Sequence, residues 1–108
     1  MVAMQWQGGV LSLLDQGAYP QEQKWLTCNT WEETAQALAT PAVQEEKVAA
    51  IAAAYGYAQA AIAAQDKLGT DAFQAALDQA KEQLLASRPG SRDVAAALAF
   101  VETPPEAY

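Results

Sequence analysis

Cys28 is the one thiol of this chain, and no histidine accompanies it anywhere in the 108 residues. A thiol becomes a nucleophile when a neighbouring base or positive charge draws off its proton, and histidine is the usual partner. Histidine is also the commonest zinc ligand, so a zinc site would have to be built from a single thiol and carboxylates. A lone cysteine closes no internal disulfide. No pair of acids falls in a recognisable pocket motif for general acid–base work. These residue types predict no catalytic side chain, no metal, no cofactor and no enzyme.

The elements that would position any site are legible from turns and caps. Gly8-Gly9 separates Met4 and Trp6 from an apolar run at Val10, Leu11, Leu13 and Leu14, the pattern of a hairpin. Tyr19-Pro20 lies in a connection, and Lys24 to Thr30 reads as a third strand. Thr30-x-x-Glu33 is a capping box that opens a short helix ending near Thr40. Thr40-Pro41 reads as a cap followed by proline at the first helical position, and predicts a helix from Pro41 to about Leu68. Val48, Ile51, Tyr55, Ala58 and Ile62 recur at steps of three and four, which places them on one face. Gly56 falls mid-helix, where it costs roughly 1 kcal/mol against alanine.

Gly69 stops that helix and Thr70-Asp71 caps the next, which runs to about Ser87 with Phe73, Leu77, Ala80 and Leu84 on one seam. After Ser87-Arg88-Pro89-Gly90, Ser91 caps a fourth helix carrying Val94, Leu98 and Val101. Thr103-Pro104-Pro105 ends it. The predicted class is α+β in a single domain. A small three-stranded antiparallel sheet (1–30) precedes a bundle of about four helices (31–103) and a tail (104–108).

Composition narrows the partners. Apolar residues make up 52% of the chain, as in a globular domain. About a quarter of the residues are alanine. Alanine favours helix but buries little area, so few large side chains carry the core. Thirteen acids against six bases give a formal net charge of -7. Without a basic cluster, neither nucleic acid nor an anionic membrane surface is an expected partner. No apolar run approaches the ~20 residues of a membrane span. The amino terminus lacks the pattern of a secretory signal, and cytoplasmic residence is expected.

Three stretches point further: QWQGGVLSLLDQGAYP at 5–20, IAAAYG at 51–56 and SRP at 87–89. They resemble the amino-terminal domain of the 5-methylthioribose-1-phosphate isomerases and of their relatives, the regulatory subunits of the translation-initiation exchange factor 2B. The resemblance implies a small sheet with helices, covering nearly all of this chain as the first of two domains. It implies an aldose-to-ketose phosphate isomerase whose catalytic cysteine and aspartate lie on a second, Rossmann-like domain. Cys28 matches a cysteine at the end of the family's third strand, so by this resemblance it is a small filler and not the catalytic thiol.

The family carries Arg-Gly-Ala-Pro-Ala-Ile-Gly directly before Ile-Ala-Ala-Ala-Tyr-Gly, and uses it to hold the substrate phosphate. At the matching positions, 44–50, this chain reads QEEKVAA. Gln44 stands for the arginine, Glu45 for the first glycine and Lys47 for the proline. Glu45 and Glu46 would repel a phosphate, and the segment has strong helix propensity. A second family contact is the arginine of Ser-Arg-Pro-Thr-Ala-Val-Asn. Ser87, Arg88 and Pro89 retain its start, whereas Gly90, Ser91, Arg92 and Asp93 depart from it. Arg88 is thus the surviving candidate for substrate binding, against the alternative of an exposed arginine near a helix carboxy terminus.

Two changes at one site beside an intact scaffold predict a non-catalytic, stand-alone scaffold, engineered from such an isomerase and recombinant in origin, with the phosphate loop replaced by helix. No small-molecule substrate is expected of it. A decayed natural paralogue is the other origin the sequence allows. The alternative function is a protein-interaction module, as a homodimer or with a protein partner. It would use alanine-rich helix faces beside Tyr55, Tyr57 or Phe100, or the tryptophans Trp6, Trp25 and Trp31.

Overall fold

A computed structural model describes residues 4–17, 21–40 and 42–102. Strands β1 (Met4–Gln7), β2 (Val10–Leu14) and β3 (Trp25–Cys28) form one antiparallel sheet in the order β1-β2-β3. Helices α1 (Trp31–Leu38), α2 (Glu46–Ala63), α3 (Asp71–Ser87) and α4 (Arg92–Glu102) follow, with a 3-10 turn at Gln65–Lys67. The α+β architecture is as expected. The connection at Tyr19-Pro20, the proline at 41, the stop at Thr103-Pro104-Pro105 and the tail lie outside the described residues.

Gly8 and Gly9 have φ of 61° and 86°, so both residues of the hairpin turn need the left-handed region that glycine enters freely. The register places Leu11 opposite Trp6 and Cys28, and Leu13 opposite Met4 and Leu26. Side chains alternate across a sheet, so these six share one face, and all belong to the main core. The other face carries Gln5, Gln7, Ser12 and Thr27 together with Val10, Leu14 and Trp25. The third strand is shorter than the predicted 24–30: the bond from the Asp15 N–H to the Lys24 carbonyl at 2.8 Å continues its pairing by one position, and Asn29 and Thr30 belong to the cap of α1.

The caps at Thr30, Thr70 and Ser91 form as the sequence predicts. The Thr30 hydroxyl accepts from the Glu33 N–H at 3.2 Å, and the Glu33 carboxylate accepts from the Asn29 N–H at 2.7 Å. The Thr70 hydroxyl accepts from the Phe73 N–H, and that of Ser91 from the Val94 N–H.

The buried face of α2 is Ala49, Ala52, Ala53, Gly56, Gln59 and Ala60, while Val48 and Tyr55 of the bulky ridge pack against the edge of the core. Ile51 and Ile62 are 51% and 48% exposed. Small residues win the inward positions because α1, α3 and α4 all close on α2, and bulky side chains would hold them apart. Gly56 marks the tightest approach. A Cβ there would lie 3.0 Å from Leu84 Cδ2 and 3.1 Å from Thr34 Cγ2, so close packing offsets its cost to the helix.

The expected bounds of α2 fail: the helix starts at Glu46 and not Pro41, and ends at Ala63, before the 3-10 turn. Residues 42–45 are not helical. Thr40 closes α1 by donating to the Ala37 carbonyl at 2.7 Å. The Gln16 side chain then accepts from the Gln44 and Glu45 N–H groups at 2.7 and 3.2 Å, while the Gln16 N–H donates to the Ala42 carbonyl at 2.7 Å. Tertiary bonds to a residue almost thirty positions earlier override local propensity, which is a weak prior. The reading of 44–50 as helix therefore holds only from Glu46 onward.

Candidate functional site

Helices α1, α2 and the α3–α4 turn enclose an open cleft of about 820 Å³, walled by Val43, Gln44, Glu46, Arg88, Ser91 and Arg92 among others. Arg88 occupies the carboxy-terminal cap of α3. Gly90, at φ 82°, turns the chain back into α4. This turn brings Ser91 and the amino terminus of α4 beside the amino terminus of α2.

Arg88 is the candidate residue that the sequence singled out, and the structure places it on the cleft wall. Its side chain is only 16% exposed, so it is not the freely solvated arginine of the alternative reading. One guanidinium nitrogen, Nη1, donates to the Val43 carbonyl at 2.6 Å and the Leu38 carbonyl at 3.3 Å. The other, Nη2, donates to Glu46 Oε1 at 2.5 Å. The second oxygen of the same carboxylate, Oε2, accepts from the Ser91 hydroxyl. Bonds from Arg88 and then from Ser91 hold the Glu46 carboxyl below the usual carboxylate range. The arrangement is one oxyanion gripped by two donors from the α3–α4 turn, with the guanidinium itself braced from behind by two main-chain carbonyls. Chemically, such a site can hold and orient an anion. Glu46 and Ser91 were missed as site members. Both lie next to residues the sequence flagged, but their partnership spans 45 positions.

The other residues weighed in the sequence lie apart. Gln44 borders the cleft, and Lys47 is exposed on α2. Cys28 is 2% exposed at the end of β3, and burial pushes its thiol pKa up, which keeps it protonated and unreactive. Among the described residues no three metal-ligating side chains gather, and no helix is long and apolar enough to cross a membrane.

Gln59 is a buried polar residue that the sequence reading passed over. Its amide nitrogen donates to the Gly9 carbonyl at 3.0 Å and the Cys28 carbonyl at 2.8 Å, and its oxygen accepts from the Thr34 hydroxyl at 2.5 Å. It pins α2 to the hairpin turn, the end of β3 and α1 at once. The signal was available: it is the one side-chain amide between Lys47 and Gln65.

No family model matches the chain. Curated relatives do. The methylthioribose-1-phosphate isomerase of Parasynechococcus marenigrum is 34% identical over 105 residues, 97% of this chain and 28% of that protein. That of Alkalilimnicola ehrlichii is 39% identical over 87 residues, 81% of this chain and 25% of that protein. That of Pseudomonas putida is 45% identical over 56 residues, 52% of this chain and 16% of that protein. Among solved structures, 5-methylthioribose 1-phosphate isomerase from Pyrococcus horikoshii superposes with a TM-score of 0.83 over 93% of this chain and 28% of that one, at 24% identity. The delta subunit of translation initiation factor eIF-2B from A. fulgidus gives 0.76 over 90% of this chain and 28% of that one, at 28% identity. The expectation of no enzyme is corrected by these matches, because the relatives that align with the chain bear the name of an isomerase. The chain spans between 16% and 28% of the length of these relatives.

Proposed function

Because this chain belongs to the methylthioribose-1-phosphate isomerase and initiation-factor 2B family, as its amino-terminal domain, we propose that it serves as the phosphate-holding domain of a sugar-phosphate isomerase. Its role in this reading is to grip and orient the phosphoryl end of an aldose 1-phosphate. The proton transfer between sugar carbons is assigned to no residue of this chain. One observation carries the reading: Arg88 and Ser91 converge on a single oxyanion, with the guanidinium fixed by the Val43 and Leu38 carbonyls. Braced donors need no reorganisation when an anion arrives, and the fork of arginine suits a phosphate. The expectation of no small-molecule substrate rested on Gln44 in place of the motif's arginine, on repulsion by Glu45 and Glu46 and on helix propensity over 44–50, and the extended path of residues 44 and 45 bears only on the last of these. An engineered origin is not required, since identities of 34–39% over most of the chain accord with natural descent.

Ligand-detected NMR with ribose 1-phosphate and with ribose tests the reading. Saturable binding of the phosphate alone, lost in Arg88→Ala and weakened in Ser91→Ala, is the expected result. Indistinguishable behaviour of the two sugars towards the native chain and towards a chain carrying Glu46→Gln would dismiss it.

A second reading, docking to a protein, draws support from the outward ridge of α2. Ile51 and Ile62 lie three turns apart on one side, flanking the Trp6–Tyr55 stack, whose ring centroids are 4.7 Å apart. Association between copies would appear as a concentration-dependent mass in light scattering, reduced by Ile51→Glu. A constant monomer mass at high concentration would end the self-association version.

A further inference from the structure

We infer that Glu46 is a resident occupant of the oxyanion wall that sets its charge threshold: a dianionic oxyanion displaces it, and a monoanionic carboxylate does not. The inference deepens the phosphate-holding reading and rests on it.

The geometry separates a fixed part from a movable one. Arg88 stays in place without Glu46, because Val43 and Leu38 hold its other nitrogen. Ser91 also stays aimed, because its oxygen caps α4 by accepting from the Val94 N–H at 3.2 Å while its proton points to Glu46. The Glu46 side chain, by contrast, is 46% exposed and leaves the cleft by turning into water. It uncovers no apolar core as it goes, since the buried residues of α2 begin at Ala49. Glu46 is also the first residue of α2, where the helix dipole favours a negative charge on whatever occupies the position.

Competition then follows from charge and tethering. An attached carboxylate holds the donors at an effective concentration of about millimolar or above. Free acetate offers the same group and the same charge without the tether, so it gains nothing by entering. A phosphoryl or sulfate dianion brings a second charge against the same guanidinium and helix end, and that difference drives the exchange. Asp93 on the cleft wall and Glu45, the residue before Glu46 in the chain, raise the threshold further by repulsion, while Arg92 on the same wall works the other way.

The test uses sulfate and acetate as probes, titrated into the ¹⁵N-labelled chain, with the Glu46 and Ser91 amides followed by NMR. The native chain is expected to saturate with sulfate and to show no saturable response to acetate. Glu46→Ala, and a Glu46→Gln variant that keeps the side-chain length, are expected to bind sulfate about tenfold more tightly, as removal of a competitor that fills the site some nine-tenths of the time requires. Both are also expected to respond to acetate. Equal sulfate affinity in the native chain and in both variants overturns the role of Glu46 while leaving the wall intact. Absence of sulfate binding in all three chains removes the phosphate-holding reading as well.

Discussion

Arg88→Ala separates a braced arginine from a surface one. The substitution removes the donor to the Val43 carbonyl at 2.6 Å and to the Leu38 carbonyl at 3.3 Å, on two residues that are each 1% exposed. A hydrogen bond from a charged group contributes about 1.5–3 kcal/mol, and the longer bond counts towards the low end. Water entering from the open cleft would recover part of the loss. The contact with Glu46 adds little, because the ion pair is open to solvent on the Glu46 side. The expected destabilisation is about 3 kcal/mol, a large share of the 5–15 kcal/mol that holds a domain of this size. It corresponds to a fall in Tm of about 10–20 °C. Arg88→Lys keeps a charge near the carbonyls without the fork, and about half the loss is expected. Urea unfolding reads both, with the midpoint moving and the m-value unchanged. A loss below about 0.5 kcal/mol for Arg88→Ala would be the behaviour of an ordinary surface site and would refute the brace.

Three further outcomes are expected. Gln59→Leu removes the bonds to the Cys28 and Gly9 carbonyls, while the Cys28 carbonyl keeps its ladder partner Leu11 and Thr34 falls back on the Thr30 carbonyl at 3.3 Å; a loss of about 1–2 kcal/mol in the same unfolding assay is predicted. Glu46 has a folded pKa below its ordinary value of 4.5, so its stabilisation is complete above that pH and is lost as pH falls through the depressed value; acid titrations should show a shallower decline below about pH 4.5 for Glu46→Gln than for the native chain. Cys28 should react with a thiol reagent at pH 8 about a hundredfold more slowly in the folded chain than in urea, because the reagent reaches it only through opening of the core.

What the sequence showed, and what it concealed, divides along the range of the interactions. The Gly8-Gly9 turn, the Thr30 box, the Thr70 cap and the Ser91 cap are settled within a few residues, and each forms where the sequence places it. The face of α2 is settled by three other helices. Its periodicity was legible, but the large residues drew attention to Ile51 and Ile62, whereas close approach demands Ala52, Ala53 and Gly56. The start of α2 is settled by the Gln16 side chain, and helix propensity in QEEK says nothing of it. The site follows the same rule. Arg88 was visible in a short motif, but the carbonyls that brace it and the carboxylate that meets it come from residues 42 to 50 positions earlier. Glu46, which a sequence reading sets against any phosphate, is the residue that completes the cluster.

A crystal structure of the chain grown with a ribose phosphate tests the central claim most directly. The account predicts a phosphoryl group on Arg88 and Ser91, with the Val43 carbonyl still bonded to Arg88 and the Glu46 side chain turned out to solvent. A sugar phosphate seated elsewhere, with the Glu46 carboxylate still on Arg88, would contradict it.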